Sequence, residues 1–297
     1  MPQTLIEIKN LSHSFRLSRR LAVRAVDDVS FDIRRGEILG LVGESGSGKS
    51  TVARCIMNVY RPDSGSICYD GIDLCDPAQF RAHKKRLQTC RQIIFQDSTS
   101  SLNQRMKVAD VIAEPMRIHH ITPPRGSYRA EAEFQMKYVG LDREYLDRYP
   151  SELSGGQRQR VAIARALSME PEFLVADEPI ASLDVSIQAQ IINLFKHLQA
   201  EHGFTTLFIA HDLAMVAYLC DRVGVMTRGR LVELAPTAQL FAHPIHPYTR
   251  ALLSAIPIPD PRRERARVPA RWEDDFDLSG SLTEVEPDHF VLRGGEA

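Results

Sequence analysis

Long hydrophobic runs and cysteine clusters are both lacking in this sequence. No stretch of the 297 residues approaches the roughly 18 uninterrupted apolar residues of a membrane span. The segment Met1 to Asn10 lacks the apolar core of a secretion signal, so we expect the chain to stay in the cytosol. The five cysteines include no CxxC pair, so neither a zinc knuckle nor a disulfide framework is indicated. We expect these cysteines to be small buried residues.

Charge of one sign is lacking as well. Lys and Arg number 37 against 38 for Asp and Glu, a net charge of −1. This balance gives no reason to expect a nucleic-acid or acidic-lipid partner. Hydrophobic residues make up 43% and charged residues 25%, the profile of an ordinary globular chain whose length fits about two structural units.

Short apolar segments predict an α/β core. The alternating segments Leu5–Ile8 and Val29–Ile33 predict a pair of antiparallel strands. Near-continuous apolar runs at Glu37–Val42, Glu172–Ala176 and Thr205–Ala210 are typical of strands buried on both faces. Because helical stretches alternate with these runs, the sequence predicts a parallel sheet.

Strand signals fade in the middle of the chain. Helix-period segments at Val108–His119 and Tyr128–Val139 are separated by a loop at Thr122–Gly126, which predicts a helical insert. Beyond Ala255 the chain becomes rich in proline and charge, which favours a loosely packed extension over a third domain.

A glycine-rich loop follows the first buried run. Residues Gly43–Thr51 read GESGSGKST and fit the pattern GxxxxGK[ST] between a strand and a helix. Glycines let successive backbone N–H groups face the phosphates of a nucleotide. Lys49 is expected to reach the β- and γ-phosphates and Ser50 to ligate Mg²⁺, whereas a merely flexible turn needs neither residue. The predicted phosphate-binding residues are Gly43, Ser45, Gly46, Ser47, Gly48, Lys49, Ser50 and Thr51.

Two carboxylates end the second buried run. Asp177 and Glu178 lie where ligands bind in α/β sheets, at the carboxyl edge of the strands. Asp177 is suited to Mg²⁺ coordination, and Glu178 is suited to orient and partly deprotonate the water that attacks the γ-phosphate. The alternative is that both acids cap a helix that begins after Pro179.

The segment Leu153–Gln157 reads LSGGQ, and it resembles the signature of ABC-type ATPases. Serine and two glycines at a helix start predict a second anion-binding nest. The resemblance covers residues 1 to about 255. It implies a P-loop NTPase core of RecA-like α/β fold, with an N-terminal antiparallel β subdomain and a helical subdomain inserted at about residues 97–165. It also implies that Ser154, Gly155, Gly156 and Gln157 act on ATP held by a second subunit.

Other residues take their expected roles from this resemblance. Gln96 is similar to the glutamine that touches the metal or the attacking water, and His211 to the histidine that contacts the γ-phosphate. Phe15 is the candidate for stacking on adenine, the alternative being a core residue. Asp184 matches the D-loop, although Ala181 stands where the family usually has serine. The resemblance implies that ATP and Mg²⁺ are the cofactors, with Ser50, Gln96 and Asp177 as metal ligands and Glu178, His211 and Gln96 as catalytic residues.

Further segments resemble the ATP-binding subunits of peptide and nickel importers. They are Phe95–Asp97, Ser101–Asn103, Tyr149–Pro150 and His243–Leu253. The paired histidines of the last segment suggest either a metal site or a packed turn. Residues 256–297 are similar to the C-terminal extension of these importers, and the closing segment Leu282–Val291 is present. Because no cysteine follows Cys220, no iron–sulfur cluster is expected here. The basic stretch Arg262–Arg271 and the acidic Glu273–Asp277 fit a solvated extension or a contact surface for a partner subunit.

The resemblance implies a division of labour between several proteins. The expected partners are a second ABC ATPase subunit, identical or related, two transmembrane permease subunits and, indirectly, an extracytoplasmic substrate-binding protein. We expect the chain at the cytoplasmic face of the inner membrane, with ATP hydrolysis powering uptake of peptide, opine, sugar, glutathione or nickel.

Two other classes stay open on the sequence. One is a non-transport ABC ATPase that serves a soluble, phosphonate-degrading complex. The other is an ATPase of the DNA-repair or chromosome type, which the short spacing of the motifs and the neutral charge disfavour.

Overall fold

The chain forms two compact units. The first unit comprises Met1–Cys75 and Phe208–Ala297, and the second comprises Asp76–Leu207. The structure is a computed structural model and describes residues 3–16, 18, 21–255, 278 and 280–294. The predicted basic and acidic stretches at 262–271 and 273–277 lie outside the described residues.

The elements follow in chain order. The first unit opens with β1 (Thr4–Arg16), β2 (Ala22–Arg34), β3 (Ile38–Val42), α1 (Lys49–Ile56), β4 (Ser64–Tyr69) and β5 (Ile72–Asp73). The second unit contains α2 (Pro77–Thr89), β6 (Arg91–Ile94), α3 (Ser98–Ser101), α4 (Val108–Ile118), α5 (Tyr128–Tyr138), α6 (Gly155–Leu167), β7 (Phe173–Asp177) and α7 (Val185–His202). The strand β8 (Thr205–Ile209) runs across the boundary. The first unit resumes with α8 (Leu213–Leu219), β9 (Arg222–Thr227), β10 (Arg230–Pro236), α9 (Thr237–Ala242), α10 (Pro247–Ser254), β11 (Ser281–Glu286) and β12 (His289–Arg293).

The predicted antiparallel pair is confirmed in the first unit. β1 and β2 pair antiparallel with Ile8 opposite Phe31, and they belong to a four-stranded sheet of order β2-β1-β4-β5. Ile6, Ile8 and Ile33 are buried, so the alternating apolar side chains form the covered face. This sheet is the N-terminal antiparallel β part expected from the resemblance.

The three near-continuous apolar runs are confirmed as buried strands. Every residue of β3, β7 and β8 is buried. In the first unit β3 pairs in parallel with β9, and in the second unit β6 pairs in parallel with β7. Strands covered on both faces need apolar residues at every position, which is why these runs do not alternate. The core is therefore of the predicted α/β class.

The second unit carries most of the described helices. α4 and α5 fall where the helical periodicity predicts them, and Ser127 caps α5 by accepting a hydrogen bond from the amide of Ala130. Val111, Ile112 and Met136 are fully buried on the inner faces of these two helices. That residues 97–165 form a separate inserted subdomain stays a prediction.

The closing part of the C-terminal region belongs to a sheet, whereas residues 256–277, on which the prediction of a loose extension is based, lie outside the described residues. β11 and β12 form an antiparallel hairpin, and β12 adds to the edge of β10 with Phe290 opposite Leu234. His289 and Val291 are buried there. Leu292 is buried as well, and through its pairing with β10 the hairpin extends the sheet at this edge.

Candidate active site

The glycine-rich loop is a sharply bent connection between β3 and α1 in the first unit. Gly43, Gly46 and Gly48 have φ values of 144°, 81° and 105°, a region that other residues rarely adopt. A Cβ atom on Gly43 would lie 2.0 Å from the carbonyl oxygen of Met226, and one on Gly48 would lie 2.3 Å from that of Ala25. Glycine is therefore required at Gly43 and Gly48 by both conformation and space.

Lys49 is held inside the loop that it follows. Its Nζ donates to the carbonyl oxygens of Gly43 and Glu44, both at 2.8 Å, and to Oγ of Ser47 at 3.1 Å. The residue is only 4% exposed. An ammonium group has three donors, so these bonds hold it over the loop, where a phosphate oxygen can take one of them in exchange.

The N-terminus of α1 supports phosphate binding at the predicted residues. Its N-cap is Gly48, which places no side chain over the first amides, and Ser50 and Thr51 lie in the first turn. Ser45 and Gly46 are exposed at the tip of the loop, and Ser47 is buried. Backbone N–H groups at a helix N-terminus carry a partial positive charge, which favours an anion.

Phe15 belongs to a small aromatic cluster of the first unit. Its ring contacts His13 and Tyr60 edge-on, with centroids 4.8 and 5.3 Å away, and His13 stacks on Tyr60. The guanidinium of Arg54 lies 5.8 Å from the Tyr60 ring. Phe15 is half-buried. Its stacking on adenine stays a prediction. Tyr60 is a second aromatic candidate that no local pattern in the sequence indicated.

His211 lies directly after β8 in the first unit. It is exposed, and Asp212 beside it caps α8 by accepting from the amide of Ala214. A histidine at the carboxyl end of a buried strand is placed at the edge where ligands bind in α/β sheets. Contact with a γ-phosphate stays a prediction for this residue.

Asp177 and Glu178 lie in the second unit, and Glu178 is hydrogen-bonded to Gln96. Asp177 is 2% exposed at the end of β7, and Glu178 follows it with a φ of 47°. The amide Nε2 of Gln96 donates to Oε2 of Glu178 at 2.9 Å. The left-handed backbone at Glu178 is a strained conformation of the kind that clusters at functional sites. The structure thus brings the side chains of Gln96 and Glu178 together, and their catalytic roles stay predictions.

The capping alternative for these two acids is wrong. No helix begins after Pro179, because the described residues that follow form turns until α7 begins at Val185. Asp184, the D-loop candidate, is the N-cap residue of α7 and is exposed. Glu178 and Asp177 are therefore not used as helix caps.

The signature segment starts α6 in the second unit, but its geometry is not a nest. Gly155 and Gly156 lie in the first helical turn, without the positive φ values that mark the other loop. Ser154 Oγ accepts from the amide of Gln157, and Gln157 Oε1 accepts from the amide of Ser154. This is a reciprocal capping box, in which side chains satisfy the first amides of the helix. The predicted nest is replaced by a capped helix N-terminus.

The two signature glycines also allow close packing against the segment around Asp184. A Cβ on Gly156 would lie 2.7 Å from a methyl carbon of Ile187, and one on Gly155 would lie 3.3 Å from Leu183. Larger residues would push α6 away from the start of α7. Within the second unit, the two signature glycines are therefore packed closely against the residues on either side of Asp184.

Histidines and cysteines give no sign of a bound transition metal. His246 is buried, and its Nδ1 accepts from the amide of Tyr248, so this histidine belongs to a packed turn, whereas His243 is exposed. Among the described residues, no cluster of three or more His, Cys, Asp or Glu side chains could hold a metal ion. Burial raises the pKa of the Cys55 thiol to about 12 and also raises that of Cys220. Such thiols stay protonated, as expected for structural cysteines.

Comparison with known proteins decides the family. The profile described as "ABC transporter" matches residues 26–181. The chain belongs to the ABC transporter family. A second profile, described as "Oligopeptide/dipeptide transporter, C-terminal region", matches residues 232–275 of this ABC protein. The protein therefore binds ATP and is an ATPase.

Relatives match this ABC protein over nearly their whole length. It is 50% identical to "Oligopeptide transport ATP-binding protein OppF" of Bacillus subtilis (strain 168), over 98% of this chain and 97% of that one. It is 45% identical to "Dipeptide transport ATP-binding protein DppF" of Lactococcus lactis subsp. cremoris (strain MG1363), over 98% and 94% of the two chains.

Solved structures give the same fold. The dimeric, post-hydrolysis ATP-binding cassette MJ0796 bound to ADP and Pi matches with a TM-score of 0.68 and 27% identity, over 78% of this chain and 98% of that one. The cbiO1 protein of Clostridium perfringens, part of the ABC transporter complex cbiONQ, matches with a TM-score of 0.69 and 28% identity, over 81% and 92%. The predicted P-loop NTPase fold is confirmed.

Proposed function

We propose that this ABC ATPase powers the uptake of peptides, or of a related small solute, through separate membrane permease subunits. The observation that carries the proposal is the presence, in one chain, of an ATPase site and a C-terminal region matched by the peptide-transporter profile. The relatives named for oligopeptide and dipeptide transport, similar over nearly their whole length, support the same solute class. The alternative of an accessory subunit for phosphonate degradation is not favoured by these relatives.

ATP binding falls to the first unit. The amides of the Gly43–Thr51 loop and of the first turn of α1 bind the phosphates, and Lys49 adds a positive charge to the β- and γ-phosphates. Phe15 stacks on the adenine ring through its accessible face. Charge-assisted hydrogen bonds to phosphate are about twice as strong as neutral ones, so Lys49 contributes most among the side chains.

Oxygen donors for Mg²⁺ are supplied by Ser50, Gln96 and Asp177. Hydroxyl, amide and carboxylate oxygens are hard ligands of the kind that this ion prefers, together with waters and phosphate oxygens. The carboxylate of Asp177 at the end of β7 fits such a role, because ligands of α/β sheets bind at the carboxyl edge of the strands. When bound, the ion neutralises charge on the β- and γ-phosphates.

Hydrolysis needs a base near the attacking water. Glu178 orients the water and accepts its proton, and Gln96 fixes the carboxylate through the 2.9 Å hydrogen bond. His211 contacts the γ-phosphate. Ser154, Gly155, Gly156 and Gln157 of one subunit act on the ATP bound by the loop of a second ABC ATPase subunit, identical or related. Asp184 supports communication between the two sites.

The remaining machinery lies in other proteins. We propose two transmembrane permease subunits and, indirectly, an extracytoplasmic substrate-binding protein, with this chain peripheral at the cytoplasmic face of the inner membrane. Within the part of the chain that the structure describes, no helix is long and apolar enough to cross a bilayer. Closure and reopening of the ATPase pair is transmitted by the helical part of the second unit to the permeases.

Uptake in the organism that encodes the chain tests the proposal. Deleting the gene abolishes uptake of a labelled tripeptide, the native gene restores it, and a Glu178→Gln gene does not. Glu144→Gln, a control at an exposed carboxylate of the second unit, restores uptake. Peptide uptake that survives the deletion, or that returns with Glu178→Gln, would refute the proposed role.

A further inference from the structure

The segment His243–Leu253 has no role in the ATPase mechanism above, yet it reaches the phosphate-binding loop. Its Tyr248, on α10, is 2% exposed. The hydroxyl oxygen of Tyr248 accepts a hydrogen bond from the backbone amide of Glu44 at 3.2 Å, and it also bonds to the side chain of Thr227. A residue far along the chain thus touches the second residue of the loop Gly43–Thr51.

The peptide group between Gly43 and Glu44 is fixed from both sides. Its N–H, the amide of Glu44, donates to Tyr248, and its carbonyl oxygen, that of Gly43, accepts from Lys49 Nζ at 2.8 Å. The carbonyl oxygen of Glu44 accepts from the same Nζ at 2.8 Å and from the amide of Ser47 at 3.1 Å. The same lysine is the one that reaches the phosphates. Rotation of this peptide would therefore change both the course of the loop and the resting position of Lys49.

Tyr248 is itself held by a buried network. Its amide donates to Nδ1 of His246 at 3.1 Å. The amides of Ile245 and His246 donate to the two carboxylate oxygens of Glu233, on β10, at 2.8 and 3.0 Å. Burial lowers the pKa of His246, which favours the neutral ring that can accept at Nδ1. The turn that leads into α10 is thus anchored to the sheet.

The network continues into the C-terminal hairpin. Nε2 of His289, on β12, lies 2.7 Å from Oε1 of Glu233, and both side chains are completely buried. The neighbouring Asp288 forms a two-bond ion pair with Arg34 of β2. A chain of buried polar contacts therefore joins the hairpin to β10, to α10 and to the phosphate-binding loop, all within the first unit.

We propose that Tyr248 is a positioning residue for ATP. Its hydroxyl fixes the peptide at Glu44, so that the loop and Lys49 are ordered before the nucleotide arrives, and Glu233 and His289 hold Tyr248 in place. The C-terminal region thereby acts on the ATP site as a brace. A loop ordered in advance loses less conformational entropy on binding and so binds more tightly. This proposal requires ATP binding at the loop and is independent of which solute is transported.

The opposing interpretation is that Tyr248 only fills space beneath α10. Tyr248→Phe separates the two, because it keeps the ring and removes the hydroxyl. Tyr69→Phe is the matched control, since Tyr69 is a fully buried tyrosine of the same unit, on β4. If Tyr248 only packs, both variants bind ATP as the native chain does.

We expect Tyr248→Phe to weaken ATP binding of the full chain about three- to tenfold, the range of one lost hydrogen bond. The Michaelis constant rises by a similar factor while kcat at saturating ATP stays close to native. Amide hydrogen exchange of residues 43–48 becomes faster in the nucleotide-free chain. Native ATP affinity with native exchange in Tyr248→Phe, or an equal loss of affinity in Tyr69→Phe, would overturn the proposal.

A second pair of variants tests the rest of the brace. Glu233→Gln replaces one acceptor oxygen by an N–H donor, so the contacts with the turn and with His289 cannot all be kept. We expect a loss of ATP affinity in the same range, and none in Glu284→Gln, a hairpin carboxylate that accepts from the amide of Asp288. A Glu233→Gln chain that melts earlier yet binds ATP natively would show that the brace ends at Tyr248 and does not include Glu233.

Discussion

The two helix N-termini for which we propose contacts with ATP are built differently. α1 follows three glycines with positive φ, and its N-cap Gly48 has no side chain to occupy the first amides. At the start of α6, the side chains of Ser154 and Gln157 accept hydrogen bonds from the backbone amides of each other. The first N-terminus is shaped for a ligand, whereas the second satisfies its own amides.

From this difference we infer that the first unit supplies the affinity for ATP and that the second unit supplies a contact made later, when the dimer closes. The loop before α1 is braced by Tyr248 and by Lys49, so it is ready for phosphate. In the mechanism that we propose, Ser154 exchanges an internal hydrogen bond for a phosphate contact, and this near-neutral exchange becomes favourable when the dimer interface closes. We therefore expect changes in the first unit to alter ATP affinity and changes in the second to alter turnover.

Among the variants that test this division of tasks between the two units, Glu178→Gln is expected to have the largest effect. Glutamine keeps the shape of the side chain and the contact with Gln96, but it cannot accept a proton from water. Turnover should fall by about 10²- to 10⁴-fold, the usual contribution of a general base, while ATP affinity stays native. Phosphate release and equilibrium ATP binding measure the two quantities. Glu144→Gln serves as the control, and a Glu178→Gln enzyme that releases phosphate at the native rate would remove Glu178 from its role.

The next largest effect concerns the first unit. Lys49→Ala removes the ammonium group from the loop and from the phosphates, and ATP should bind about 10- to 100-fold more weakly, the range of a lost charge-assisted hydrogen bond. Isothermal titration with ATP measures the change. Lys9→Ala, at an exposed lysine of the same unit paired with Glu7, should bind ATP natively. Native affinity in Lys49→Ala would mean that the loop binds phosphate through its backbone alone.

Substitution of the N-cap serines of α6 and α5 separates a role in turnover from a role in stability. Ser154→Ala and Ser127→Ala each remove an N-cap serine, from α6 and α5, and each should lower the free energy of unfolding by about 1 kcal/mol. Only Ser154→Ala should also lower ATP turnover in the assembled transporter, by about tenfold. Urea denaturation and phosphate release measure the two effects. Equal turnover in both variants would leave Ser154 with a structural role alone.

The smallest effect is expected at the hairpin of the first unit. The hydrogen bonds from Arg34 hold the pKa of Asp288 below its ordinary value, so this pair stabilises the fold above the unfolded pKa, about 3.9, and loses that contribution as the pH falls further. Because Asp288 is partly exposed, Asp288→Asn should cost less than about 1 kcal/mol at pH 7. Urea denaturation at pH 7 and pH 3 should show the difference from the native chain shrinking at pH 3. A difference that is the same at both pH values would contradict this account.

Local patterns in the sequence predict much of this fold. The runs that became β3, β7 and β8 were readable because a strand covered on both faces needs apolar residues throughout, and GxxxxGK[ST] fixes both the loop and the helix start. The spacing of Ser154 and Gln157 is that of a capping box, so the sequence also held the signal that distinguishes this helix start from a nest. Such features depend on neighbours within a few residues.

Contacts between distant residues could not be read in the same way. Tyr248 and Glu44 are separated by 204 positions, and the pairing of His289 with Glu233 by 56. Nothing within either segment indicates its partner, because the order of β10 and β12 in the sheet is set by packing and not by local propensity. The tight hairpin at the C-terminus was missed for the same reason, since its apolar residues are few and only its place beside β10 buries them.

Equilibrium binding of ATP to the purified Lys49→Ala and Ser154→Ala chains, measured side by side, tests most directly whether the two helix N-termini have different tasks. We predict that Lys49→Ala binds ATP at least about tenfold more weakly than the native chain, because it loses a charge-assisted contact. We predict native affinity for Ser154→Ala, since its side chain is bonded within its own helix. A Ser154→Ala chain that loses as much affinity as Lys49→Ala would contradict the division of tasks between the two units.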